Sequence, residues 1–431
     1  MKNIKKINIA IIGLGNIGSY LYKFLNTNKN ILSEKNNCIP NIIFVSAKNY
    51  NKRRNIKIPK NKWLKNYLDA TKSKDVDIII ELIGGAEGAA KKLVFSALKN
   101  RKHVVTANKA LIAKYGDDLS KIAEKNKVNL EFEAAVCGGV PIIRSIKEGL
   151  IANKINRVYG IFNGTSNFIL SSMKRENKNF DDVLNNAKKL GYAESNPQSD
   201  LNGDDVAAKL KILSSLCFNS FINHNIHIEG IHNIDKIDID NADKLGYKIK
   251  LLGFSEIIDN KIYQRVHPTF IKNSSYIAGI DGVLNAVIVN GKPVGESVIQ
   301  GEGAGPEATT SALISDISSI IRGNIKFPFS ISNKERKKIK SISIRERFFS
   351  AYLRFDVYDK PGVLSNITNI FSKNKVSIKR LVQNPNKVKK SSSIIIITHN
   401  SKDAYLNKIL REISKKKYIN KKPKLIRIDE N

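Results

Sequence analysis

Cysteine is nearly missing from this chain. The three present, Cys38, Cys137 and Cys217, are odd in number and widely spaced, with no CxxC pair, which excludes a disulfide framework and a paired-cysteine metal or redox motif. A reducing, cytoplasmic setting is the expectation. Apolar runs long enough to span a membrane are missing too. The basic start, Met1 to Asn8, leads into an apolar stretch that glycines break at once, so neither a signal peptide nor an anchor is read. The third shortage is of acidic residues: 39 Asp and Glu face 73 Lys and Arg, a net charge of +34 that could draw in phosphate backbones or anionic membranes at low salt. Those cations are scattered beside abundant Asn and Ile, a mixture that AT-rich coding produces unaided, and no nucleic-acid motif accompanies them. Neither a nucleic-acid nor a membrane partner is expected.

What is present is material for several cores. At 431 residues the chain exceeds what one hydrophobic core supports, so two or three domains are expected, and 42% hydrophobic with 26% charged residues excludes wholesale disorder.

Ile7 to Ile12 is a β-branched run that reads as a buried strand. Gly13-Leu14-Gly15-Asn16-Ile17-Gly18 follows, and a helical pattern then runs from Ser19 to Phe24. Strand, glycine turn and helix in this order point to dinucleotide binding on a Rossmann-type fold. Gly13 permits the tight turn, Gly15 lets the backbone approach a pyrophosphate, and Gly18 allows helix and strand to pack closely. A second strand, Ile42 to Ala47, lacks the Asp or Glu that would bind an adenine ribose; Lys52, Arg53 and Arg54 follow instead. Cations there attract a 2′-phosphate, which favours NADP(H) and leaves NAD(H) open. Asp77 to Ile83 and His103 to Thr106 read as further strands. Lys109, after the second of these, stands either at the cofactor crevice or simply on the surface of a helix start.

Glu133 to Pro141 leaves a strand through two glycines into a helix beginning near Pro141. The turn exposes carbonyls beside a carboxylate, which suits a hard cation, although on physics alone a plain domain-joining turn is the better reading. Asn163 to Asn167 is suited to helix capping or to a polar ligand. The densest cluster of chemistry is Gly191 to Leu213, which holds Glu194, Asp200, Asp204, Asp205 and Lys209. Asp205 and Lys209 are four apart at a helix start and share one side, either as an exposed ion pair or as a poised proton donor. The dinucleotide fold in the same chain favours the second reading, because carbonyl reduction needs both a hydride and a proton.

Taken together, Gly13–Gly18, Glu81–Gly85, Thr106–Ala110, Asn163–Asn167, Gly191–Glu194 with Asp205 and Lys209, and Gly301–Gly305 before a helix over Pro306–Ile321 resemble homoserine dehydrogenases over nearly the whole chain. The resemblance implies NADPH-dependent reduction of L-aspartate 4-semialdehyde to L-homoserine. Lys209 is then the proton donor and Lys109 and Asp205 its catalytic partners, while Glu194, Asp205 and Asp200 bind substrate. It implies cofactor contacts from Gly13, Leu14, Gly15, Asn16, Ile17, Gly18, Arg53, Lys109, Gly191 and Gly303. A structural Na+ or other monovalent cation is implied at Glu133, Val136, Gly138 and Val140, and a homodimer or homotetramer as the assembly. The sequence departs from the family's pattern at Ser195-Asn196, where an Asp usually precedes the proline, and at Ser166, where a second Thr is common.

Beyond Arg322 and Gly323, the charged stretch Asn333–Lys340 reads as a linker. Ser350 to Val357 alternates as a strand, and Asp359-Lys360-Pro361-Gly362 enters a helix whose stripe is Leu364, Ile367, Ile370 and Phe371. A strand near Val376, another over Ser393–Thr398 and a helix over Tyr405–Ile413 complete a βαββα order. This part resembles an ACT domain, ferredoxin-like, which implies an amino-acid effector, L-threonine foremost; a merely structural dimerisation unit is the alternative. The expected architecture is α/β overall: a Rossmann-type domain over 1–135 and an α+β catalytic and dimerisation domain over 136–325, with helix 306–322 returning to the first. A linker over 326–347 and the ACT domain over 348–431 follow.

Overall fold

The computed structural model describes residues 5–223, 225–323, 325–386 and 391–429; the first residues of the basic start lie outside them. The N-terminal sheet contains β1 (Lys5–Ile12), β2 (Cys38–Ser46), β3 (Ile78–Glu81), β4 (His103–Thr106) and β5 (Leu130–Glu131). All five are parallel in the order β2-β1-β3-β4-β5, the doubly wound arrangement expected of a Rossmann-type domain. Ile9, Ile11, Ile78 and Ile80 are wholly buried because helices cover both faces, so these strands read as continuous apolar runs. The second strand begins four residues before the sequence suggested and includes Pro40, which is tolerated because β2 is the sheet's edge. The third is shorter than Asp77–Ile83, since Glu81 turns the chain at its end.

The rest of the chain contributes β6 (Lys154–Ile161), β7 (His227–Ile228), β8 (Tyr247–Ile258), β9 (Lys261–Lys272), β10 (Leu284–Lys292) and β11 (Gly295–Glu302). Then come β12 (Ser341–Ile342), β13 (Phe348–Tyr358), β14 (Ile378–Asn386), β15 (Ser391–Thr398), β16 (Ser401–Lys402) and β17 (Lys424–Asp429). These form one mixed sheet ordered β11-β10-β6-β8-β9-β17-β13-β15-β14. The Pro306–Ile321 helix leaves this part of the chain, and its Leu313, Ile317 and Ile320 join the apolar cluster of Leu21, Leu25 and β1. Pro306 at its first turn lacks only an amide hydrogen that a helix start would leave unbonded.

The C-terminal unit is βαββαβ with the two-residue β16 added before its second helix, two strands more than the sequence suggested. The longer of the two missed strands, β17, is flanked by lysines and carries Arg427, which hides its alternation. That arginine is 1% exposed, since Asp403 and Glu229 accept its N–H groups at 2.8 and 2.9 Å. β17 pairs antiparallel with β13 and parallel with β9, so the C-terminal unit extends the sheet begun by β6 to β11. The charged segment before it is no free tether. Phe329 is buried, Arg336 donates to Ser220 O and Ser215 Oγ, and Ser341–Ile342 pairs with β9.

Candidate active site

The glycine turn after β1 works as three different constraints. A Cβ on Gly13, whose φ is +110°, would lie 2.4 Å from Leu82 O, and one on Gly18 would lie 2.0 Å from Gly13 O. A Cβ on Gly15 would meet nothing within 4 Å, so this face of the turn is open at the start of the Asn16–Thr27 helix. No side chain caps that helix, and its first amides are available to an anion. Leu14, Asn16 and Ile17 lie on this turn and first helical step. Beyond β2, Arg53 is exposed, whereas Arg54 is spent on the loop itself. Its guanidinium donates to Leu14 O at 3.0 Å and Asn49 O at 2.8 Å, and it lies 5.5 Å from the Trp63 ring centre.

A relay of hydrogen bonds sets the start of the Lys109–Asn126 helix. Buried Glu81 accepts from the amides of Ile83 and Gly84 and from Thr106 Oγ1 at 2.5 Å. Thr106 Oγ1 in turn accepts from the Asn108 amide, and Asn108 caps the helix through Leu111 N while donating to Gly85 O at 2.7 Å. Nothing in the spacing of the sequence marked Glu81 as the anchor, although it opens a segment singled out there. Lys109 therefore projects from a fixed helix start at the carboxyl end of β4.

It projects onto Asp205. Lys109 Nζ is 2.7 Å from Asp205 Oδ1, and Lys209 Nζ is 2.8 Å from Oδ2, so a carboxylate only 3% exposed holds two ammonium groups. Gly203, with φ +89°, breaks the chain between the Gln198–Asn202 and Asp204–Cys217 helices and brings Asp205 into the first turn of the second. Lys209 also donates to Phe162 O at 2.6 Å, and Asn163 Nδ2 donates to Asp205 Oδ2 at 2.9 Å and to Asp200 Oδ1 at 2.8 Å. Asn163 caps the Gly164–Arg175 helix through Ser166 N, so one side chain does the capping expected of it and joins two site carboxylates as well. Burial alone would raise the Asp205 carboxyl, but the Lys209 and Lys109 charges overcome it and hold it well below the usual range. Burial disfavours the Lys209 ammonium, and Asp205 reverses this, so Lys209 stays charged above its ordinary range. Asp200 is raised by burial and by the Asp205 charge.

Four of the sequence-nominated residues thus converge: Lys109, Asp200, Asp205 and Lys209. Glu194 does not join them; it is exposed and makes no hydrogen bond or ion pair among the described residues. Gly191, with φ +77°, ends the preceding helix, and Thr165 Oγ1 ties the loop down at Tyr192 O. The Glu133–Val140 turn packs on the Gly301–Gly305 turn. A Cβ on Gly138 would lie 2.6 Å from Gly303 O, and Gly139 N donates to Glu302 O. Glu133 is 2% exposed, and its two oxygens accept from the amides of Ile143 and Arg144. Burial pushes its carboxyl up to about 7 against those two bonds. Val136 and Val140 are buried beside it. Among the described residues no group of three or more His, Cys, Asp or Glu side chains is placed to hold a metal.

A dinucleotide turn, a lysine at a strand's carboxyl end and a buried Lys–Asp pair in the neighbouring domain are the parts of a hydride-transfer enzyme. Family models match in the same layout: homoserine dehydrogenase NAD binding domain over residues 13–133, homoserine dehydrogenase over 141–318, and ACT domain over 351–417. The chain belongs to the homoserine dehydrogenase family. The homoserine dehydrogenase of Neisseria gonorrhoeae is 38% identical over 99% of both chains. The crystal structure of a homoserine dehydrogenase from Thiobacillus denitrificans superposes with a TM-score of 0.91 at 36% identity, covering 99% of this chain and 98% of that one. A hyperthermophilic archaeal homoserine dehydrogenase in complex with NADPH shares the fold, with a TM-score of 0.62 at 24% identity over 74% of this chain. As a homoserine dehydrogenase, the protein is an oxidoreductase acting on a CH–OH group with NAD(P), and it carries a C-terminal ACT domain.

Proposed function

We propose that the chain reduces L-aspartate 4-semialdehyde to L-homoserine with NADPH as its preferred reductant, with Lys209 as the acid. The observation that carries this reading is the buried Asp205 carboxylate shared by Lys109 and Lys209. The nicotinamide dinucleotide supplies the hydride when bound, and the open face of Gly15 with the uncapped helix start fits its pyrophosphate. Lys209 gives a proton from Nζ to the oxygen of the aldehyde as it becomes an alkoxide. Asp205 keeps Lys209 charged and aimed, and Lys109 faces the reacting end with 42% of its side chain exposed. Asp200 and the exposed Glu194 supply negative charge for the substrate's ammonium group. Gly191 and Gly303 border the cofactor.

Arg53, exposed where an acidic residue would favour NAD(H), supports the NADP(H) preference. Glu133 fits a structural monovalent cation such as Na+, held with backbone carbonyls of Val136, Gly138 and Val140, because such an ion offsets the cost of a buried carboxylate. The enzyme would act in the cytoplasm, a setting that three free cysteines fit, in the synthesis of threonine, methionine and isoleucine. It would assemble as a homodimer or homotetramer, and its ACT domain would respond to an amino acid, L-threonine first among them. The test is loss of NADPH absorbance with aspartate semialdehyde, repeated with NADH. Faster oxidation of NADPH supports the reading, and no oxidation by folded protein overturns it.

A further inference from the structure

Apart from the Asp205 cluster, the seam where β17 of the C-terminal unit joins β9 lines a cavity of about 320 Å³. That volume is at the lower end of the ~300–1,000 Å³ of small-molecule sites. Its walls come from both sides of the seam: Glu256 on β8, Tyr263 and Arg265 on β9, Arg347 just before β13, and Asp429 on β17. Three buried donors in it have no partner, namely Tyr263 Oη, Arg265 Nε and Arg347 Nε. Tyr263 is 1% and Arg265 5% exposed, so water outside the seam does not satisfy them. Unpaired buried donors are rare and costly in folded proteins, and three on one cavity point to a missing acceptor.

The arrangement has the polarity of a zwitterion site. The two guanidiniums lie 5.9 and 5.0 Å from the centre of the Tyr263 ring, so the three groups are neighbours on one wall of the cavity. Burial pushes the Tyr263 phenol up to about 12, which keeps it a donor. Arg265 uses its other nitrogens on His267 at 3.0 Å and Asp429 at 3.4 Å. Glu256 meets Arg347 only at 3.9 Å, which leaves its carboxylate able to take a second cation. Apolar surface from Phe254 and Ile428 completes the lining.

We propose that this seam binds one small free α-amino acid, its carboxylate on Tyr263, Arg265 and Arg347 and its ammonium on Glu256. The ligand class rests on the amino-acid regulation proposed above, while the site stands on its own donors. It would be formed within one chain and would differ from a site between paired copies of the C-terminal unit. Arg157, which also lines the cavity, lies on β6, the strand that runs on to Phe162 and Asn163 at the catalytic pair. A ligand would therefore press on a strand that ends in the active site.

Calorimetric titration of the full-length protein with L-threonine, L-isoleucine, L-methionine, sodium acetate and inorganic phosphate tests this, with Tyr263→Phe and Arg347→Gln as variants. Neither residue belongs to the catalytic machinery, and Arg347 is one-third exposed, so both variants should fold and keep basal turnover. The expected result is binding of at least one amino acid but not of acetate or phosphate, weakened about tenfold or more in each variant. Equal binding of acetate or phosphate overturns the zwitterion site. Amino-acid binding or inhibition unchanged in both variants overturns the seam site and leaves the regulatory reading standing. No binding and no effect on turnover overturns both.

Discussion

Lys109, at the first turn of a nucleotide-domain helix, reaches Asp205 in the catalytic domain at 2.7 Å. The other oxygen of the same carboxylate holds Lys209 at 2.8 Å. The proposed active centre thus joins residues from the two segments that the nucleotide-binding and homoserine dehydrogenase family models match, and each lysine depends on an anion that the other also uses.

Replacing that anion should show the dependence. Asp205→Asn leaves two ammonium groups facing each other without the carboxylate that contacts both, with Asp200 remaining nearby, and kcat should fall about 100-fold or more. The pH profile gives the sign. Asp205 raises the Lys209 ammonium above its ordinary range, so with Lys209 as the proposed acid the native enzyme should lose aldehyde reduction only at strongly alkaline pH. In Asp205→Asn the alkaline limb should move to lower pH; an unmoved limb would show that Lys209 is not the group titrating.

Arg53 and Arg54, adjacent in sequence, should respond differently. Arg53→Ala should raise the KM for NADPH about tenfold and leave that for NADH nearly unchanged. Arg54→Ala removes the brace on Leu14 O and Asn49 O and should weaken both cofactors together. Steady-state kinetics with each cofactor separates the two outcomes.

These two arginines also show how far the sequence could be read. The run Lys52, Arg53, Arg54 identified a cationic loop after the second strand, but only the fold reveals that one of the three is consumed by backbone carbonyls. The i,i+4 spacing of Asp205 and Lys209 gave their shared face directly, because helical geometry is local. Asn163 was legible as a cap, whereas its bridge to Asp200 and Asp205 spans 37 and 42 residues and no local period encodes it. Glu81 was hidden because a wholly buried carboxylate in an apolar strand has no pattern of its own. β17 was missed because its buried face includes Arg427, a residue whose burial follows only from Asp403 and Glu229.

Removing Glu81 should be felt in stability. Glu81→Ala strands the buried Thr106 hydroxyl and releases the exposed Ile83 and Gly84 amides to water, at a cost of about 1–3 kcal/mol by chemical denaturation. It should also loosen Lys109 through Asn108, so kcat is expected to fall even where the variant remains folded.

The cation proposed at Glu133 would couple stability to both pH and salt. Its folded-state value, raised to about 7, exceeds the ordinary carboxylate value, so its contribution is fully present below about pH 4.5 and is lost as pH rises through 7. Sodium chloride should therefore raise the melting temperature, relative to tetramethylammonium chloride at equal ionic strength, more at pH 8 than at pH 5. Glu133→Gln should abolish the difference. Equal effects of the two salts at both pH values would argue against a cation at this turn.

The most direct test is Lys209→Ala, assayed for aspartate semialdehyde reduction and, in parallel, for NADPH binding by fluorescence titration. Loss of most turnover, on the order of 100-fold or more, with cofactor affinity nearly intact is the expected result. Undiminished turnover in the folded variant would contradict the assignment of Lys209 as the proton donor.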